Sequence, residues 1–175
     1  MKKKSGDLRG VRGGYLSRYY EEWAQPCFPQ RPFRHLRSPR PHWEICRPDI
    51  RPLLERGDMV FFYGGGQMCR GVLVVTGNLP EIDAVTYLGQ AWLKWHRRQR
   101  CQHRNHNDDP DGRVRKDHVI LGDPRRSLWV EPSGLDLRAR EWNWLRGQHK
   151  IGLRRNVQLS SGDCQRLYAA LKSVA

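Results

Sequence analysis

Acidic residues are scarce in this chain, and long apolar runs are missing. Eighteen Asp and Glu stand against 32 Lys and Arg, a formal net charge of +14. Such an imbalance does not set a fold, but it predicts strong, salt-sensitive attraction to polyanions. The longest apolar runs, Met59–Tyr63 and Val72–Val75, are strand-sized and too short to span a bilayer. Lys2, Lys3 and Lys4 resemble the start of a signal peptide, yet Ser5 to Gly14 is polar and Gly-rich where an apolar stretch should follow. A cytoplasmic location is therefore expected. No basic amphipathic helix shows an uninterrupted lipid-facing side, so no membrane partner is expected. Five cysteines, an odd number without a repeating framework, read as reduced thiols.

Catalytic signatures are also lacking. The segment GGGQMCRG has no Gly-Lys-Ser/Thr of a phosphate-binding loop. No nucleophile elbow and no zinc-deaminase pattern occur. Asp58, Cys46 and His118 are the weak candidates for reacting groups. Asp58 before an apolar run also fits a turn, and Cys46 beside Arg47 also fits a buried structural thiol. Whether the chain is an enzyme is left open.

What is present is arginine, tryptophan and a block of glycine. Arg greatly outnumbers Lys, and its planar fork suits phosphates and base edges. The densest basic run is His96, Arg97, Arg98, Arg100 and Arg104, continued by Arg113, Arg115 and Lys116. It reads as a phosphate track or as a solvated helix end. Arg125, Arg126, Arg154 and Arg155 extend it. Cys101, His103 and His106, with Asp108, Asp109 and Asp111 nearby, resemble metal ligands. Cys-x-His-x-x-His is not a structural zinc spacing, so a polar loop is preferred and no metal or other cofactor is expected.

Along the chain, residues 1–14 read as a disordered basic tail, and 15–175 as one domain. Tyr15 to Trp23 reads as a first strand or short helix. Gln25 to Pro41 carries five prolines and must be an extended loop. Pro48 to Arg56 suits a short helix or turn that Gly57 ends. Asp58–Tyr63 and Arg70–Thr76 read as a hairpin around Gly64, Gly65 and Gly66, with strands buried on both faces. Pro80 to Arg100 predicts a helix with a stripe of Ile82, Val85, Leu88, Trp92 and Trp95. His118–Leu121 and Ser127–Val130 read as short strands. Ser160 or Ser161 caps a last helix, with Cys164, Leu167, Tyr168 and Leu171 facing inward. The order is α+β, with a small curled sheet or barrel and flanking helices.

The stretch ICRPDIRPLLERGDMVFF, residues 45–62, resembles the Cys-Lys/Arg-Pro-x-Ile-Arg…Gly-Asp-Trp-Val signature of the nucleotide-modification-associated domains. These are grouped with the PUA-like folds, alongside ASCH, EVE and YTH domains. YLSRYY, CFPQRPF, GVLVVTG, AVTYLGQAW, DHVILGDPRRSLWV and LRGQHK resemble further family segments in the same order. Met59 stands where the signature has Trp, and HWEIC replaces a Cys-Thr-Leu-like run.

The resemblance implies a PUA-like domain that recognises a base, possibly a modified one, in DNA or RNA, within a modification or defence system. It implies nucleic-acid contacts from Arg47, Arg51, Tyr63, Gly64, Gly65 and Gly66, to which the basic run would add Arg97, Arg98, Arg100 and Arg104. Trp43 and Trp144 are the candidates for stacking on the base, with Tyr63 in the same wall. Two alternatives stand beside it: an enzyme of base or nucleotide modification on the same fold, and a basic adaptor without base readout.

Overall fold

In the computed structural model, residues 10–18, 28, 40–44, 53–96, 118–131, 133–149 and 156–175 are described. They form an α+β unit. The elements run β1 (Gly13–Arg18), β2 (His42–Glu44), β3 (Met59–Tyr63), β4 (Met68–Pro80), α1 (Glu81–Leu88), α2 (Gln90–His96), β5 (His118–Gly122), β6 (Leu128–Trp129), β7 (Leu135–Asp136), α3 (Asn143–His149), β8 (Asn156–Ser160) and α4 (Ser161–Ser173). Short 3-10 turns at Gly65–Gln67 and Arg140–Trp142 link neighbouring elements.

The sheet is open and curled, in the order β2-β5-β4-β3-β1-β8, with β6 and β7 also on β4. β4 makes the curl. Its first part pairs with β3 and its last part with β5, and the register shifts between Val75 and Gly77. Such a bulge increases the local twist and turns the strand. β1 lies between β3, to which it is parallel, and β8, to which it is antiparallel.

β3 is buried along its whole length, and alternate residues serve two cores. Met59, Phe61 and Tyr63 meet Cys164, Leu167, Tyr168 and Leu171 of α4 in one cluster. Val60 and Phe62 join Phe28, Trp43, Leu54 and Trp129 in the other. The expectation of strands buried on both faces holds here. α4 also starts as expected: the Ser160 hydroxyl accepts from the Asp163 N–H, completing a capping box.

Two expectations need correction. Gly13 and Gly14 belong to β1 rather than to a tail. They pair because two bare backbones can approach closely: a Cβ on Gly14 would lie 2.0 Å from the Met59 carbonyl oxygen. Of the predicted helix from Pro80 to Arg100, the described residues form two short helices, broken at Gly89 with φ +86°. The break changes the buried face. Ile82 is 67% exposed, while Ala84, Leu88, Trp92 and Leu93 pack on Val119 and Leu121. Trp142 and Trp144 sit in a 3-10 turn and α3, with ring centroids 6.0 Å apart.

Among the described residues no helix is long and apolar enough to cross a membrane.

Candidate functional site

The turn before β3 is tied at both ends. The Asp58 N–H donates to the Glu55 carbonyl at 3.1 Å, and the Glu55 N–H donates to Asp58 Oδ2 at 2.8 Å. The Val75 N–H donates to the Asp58 carbonyl at 2.8 Å, and the Gly57 N–H to the Val75 carbonyl at 2.9 Å. Asp58 is therefore fixed before the chain enters the sheet.

Strand alternation then gathers the site. Gly14 pairs with Met59 in the parallel ladder, so Asp58 stands beside Gly13, one step earlier. Across β1 the partners are Gly13 with Ser160 and Tyr15 with Gln158. Alternate residues share a face. Asp58, Gly13, Tyr15, Gln158 and Ser160 therefore lie on one side of the sheet, and Gly13 leaves a gap where a side chain would stand.

A cavity of about 360 Å³ opens at this place, and its lining includes Asp58, Tyr15, Gln158, Ser160, Arg12 and Leu53. Arg12 pairs with Glu55, whose residue also lines the cavity. Both side chains of that pair are more than half exposed, so the pair adds little stability.

Asp58 is only 9% exposed. Burial pushes its carboxyl above the ordinary value, and the Arg12 charge partly opposes this. The Tyr15 phenol is raised by burial and then by the Asp58 charge. In the core beside Gly14, burial pushes the Cys164 thiol up to about 12, aided by the Asp163 and Asp58 charges. The Cys69 thiol is likewise pushed up to about 12 by burial, so neither thiol is a ready nucleophile.

Of the candidate site residues named in the sequence, Asp58 alone lines this cavity. Cys46, Arg47, Arg51, Arg97, Arg98, Arg100 and Arg104 lie outside the described residues, as do Cys101, His103 and His106. His118 opens β5 opposite Pro80. The three aromatic residues are not brought into one wall. Trp43 is 2% exposed and meets Phe62 edge-on, with ring centroids 5.0 Å apart. Tyr63 is buried in the opposite core. Trp144 lies partly exposed, with the Arg166 guanidinium 5.4 Å from its ring centroid.

The glycines sit beyond the far end of β3, about 20 Å from Asp58 by the rise of an extended strand. The Gly64 N–H donates to the Met68 carbonyl at 2.9 Å, and Gly66 takes a positive φ of 68°. A Cβ on Gly65 or Gly66 would meet nothing within 4 Å. They turn the hairpin.

Sequence reasoning missed Arg12, Tyr15, Gln158 and Ser160 as site residues. The usable signal was the alternation in NVQLS, where Val157 and Leu159 face the core between Asn156, Gln158 and Ser160. No family model, curated protein or solved structure matches the chain.

Proposed function

We propose that this chain is a PUA-like nucleic-acid-binding domain acting in the cytoplasm within a modification or defence system. The observation that carries the reading is the formal net charge of +14, supplied mainly by arginine. Among the described residues, exposed basic side chains include Arg12, Arg18, Arg40, Arg56, Lys94, Arg125, Arg138, Arg140, Arg166 and Lys172. Cations spread over several elements suit a phosphate backbone, where each contact displaces condensed counterions. The α+β build with a curled sheet is compatible with a PUA-like fold.

The test is binding of single- and double-stranded DNA and RNA, with and without modified bases, across a salt series. Affinity should fall steeply as salt rises. Replacing Arg97, Arg98 and Arg100 together should weaken binding to every sequence and leave any base preference unchanged. Salt-independent affinity, or no binding at low salt, overturns the reading.

A second reading, an enzyme of base modification on the same fold, is favoured by one observation. Asp58 is a buried carboxyl with a raised pKa in a cavity, the setting of a general base. Turnover of a nucleic-acid base that disappears in Asp58→Asn while binding persists would establish it.

A further inference from the structure

The cavity at Asp58 has the chemistry of a base-edge reader, and the nucleic-acid reading above supplies the strand that carries the base. We propose that it takes the Watson–Crick edge of an unpaired guanine.

The argument starts from hydrogen bonds. Asp58 Oδ2 accepts from the Glu55 N–H, while Oδ1 has no donor among the described residues. Asp58 is largely buried, yet Oδ1 is not among the buried atoms left without a partner, so it opens to the cavity and is free to accept from a ligand. The Tyr15 hydroxyl and the Gln158 amide line the same cavity and carry no hydrogen bond among the described residues. The site thus offers one acceptor-only group flanked by two groups able to donate.

Nucleobase edges differ in what they present. Guanine sets two adjacent donors, N1–H and the N2 amino group, next to the O6 acceptor. Adenine and cytosine each place a ring-nitrogen acceptor beside their amino group, and that lone pair repels a carboxylate. Uracil and thymine hold their single N3–H between two carbonyl oxygens, which repel it as well. Guanine alone can put two donors on Asp58 and leave O6 for the Tyr15 hydroxyl or the Gln158 amide.

Size and surroundings agree. The cavity of about 360 Å³ is in the range of small-ligand sites, roughly 300–1,000 Å³. Leu53 is 56% exposed and lines the cavity, an apolar surface for a ring to lie against. Arg12 also lines the cavity and is exposed, a cation available to the phosphate of a flipped or unpaired nucleotide.

The experiment is a fluorescence-anisotropy titration at low salt with short single strands of uridine. Each carries guanosine, inosine, adenosine or cytidine at one central position. Inosine keeps N1–H and O6 but lacks the N2 amino group. The guanosine strand should bind about tenfold more tightly than the adenosine, cytidine and all-uridine strands, with inosine between them. Asp58→Asn should lower the guanosine strand's affinity to that of the others, because the amide turns a donor toward N1–H. Tyr15→Phe should lower the guanosine preference several-fold without touching the Asp58 turn. Equal affinity for all strands, inosine equal to guanosine, or a full guanosine preference in Asp58→Asn overturns the guanine assignment. Absence of binding to any strand instead sinks the nucleic-acid reading on which it rests.

Discussion

Gly14 and Met59 face each other across the parallel ladder so closely that a methyl group on Gly14 would lie 2.0 Å from the Met59 carbonyl oxygen. The same added Cβ would lie 3.0 Å from the Cys164 sulfur of α4. Backbone and helix both press on this point, so neither can yield cheaply. Gly14→Ala should cost more than about 3 kcal/mol, the scale of core overpacking, and should impair folding. Gly10→Ala, four residues earlier and with nothing within 4 Å of the new Cβ, is the comparison. Its positive φ of 88° makes it costly by about 1 kcal/mol through the backbone alone. Thermal melts of the two proteins separate close approach from turn geometry; similar losses would refute the packing argument.

The start of α4 gives a second test. Ser160 accepts from the Asp163 N–H at 3.2 Å, and Asp163 Oδ2 lies 2.8 Å from the Ser160 hydroxyl oxygen. Ser160→Ala leaves an N-terminal N–H without its acceptor. The loss should be about 1 kcal/mol, seen as a lower denaturant midpoint with an unchanged slope. Ser160→Asp, which can still cap, should recover most of it.

Parts of this fold were legible in the sequence because they depend on local pattern. β3 and β4 announce themselves as apolar runs around a glycine turn, and α4 by its cap and by Cys164, Leu167, Tyr168 and Leu171. The break at Gly89 was not legible, since helical periodicity continues through it while the backbone does not. β2 and β8 were missed because a short strand is defined by its partner. His42–Glu44 pairs with β5, far along the chain, and Asn156–Ser160 with β1. The site shared this difficulty. Asp58 was recognisable as a carboxyl before a strand, but its neighbours Tyr15 and Gln158 come from opposite ends of the chain. Only the β1–β3 and β1–β8 registers bring them together. Trp43, expected to stack on a base, packs instead against Phe62, and that place depends on pairing the sequence does not display.

The buried Asp58 carboxyl sets a pH dependence. Its folded pKa is raised by burial, with Arg12 opposing, so the fold disfavours the ionised form. Its favourable contribution is therefore complete below the unfolded pKa and lost as pH rises through the folded value. The neighbouring groups are the Tyr15 phenol, the Cys164 thiol, Arg12 and Glu55. The two neighbours whose own values shift, Tyr15 and Cys164, move upward, away from this window. Asp58→Asn keeps an oxygen for the Glu55 N–H but cannot ionise. Relative to the parent protein, its melting temperature should be higher near pH 7 than the same comparison gives near pH 3. A difference that stays constant between these two pH values would show that Asp58 titrates as it does in the unfolded chain.

The glycine hairpin supplies the last test, because the structure separates its turn from the cavity. Gly65 is exposed, has no positive φ, and an added Cβ meets no atom within 4 Å. Gly65→Ala should therefore leave stability within about 0.5 kcal/mol, since alanine also restricts the unfolded chain. Gly66 differs, with φ +68°, so Gly66→Ala should cost about 1 kcal/mol through backbone preference alone. Neither glycine lines the cavity at Asp58. Strand affinity and guanosine preference, measured on folded protein, should survive both substitutions. A fall in affinity for Gly65→Ala at unchanged melting temperature would mean that a ligand, rather than the protein, occupies the space beside this residue. That result would move the nucleic-acid contact from the start of β3 to its end.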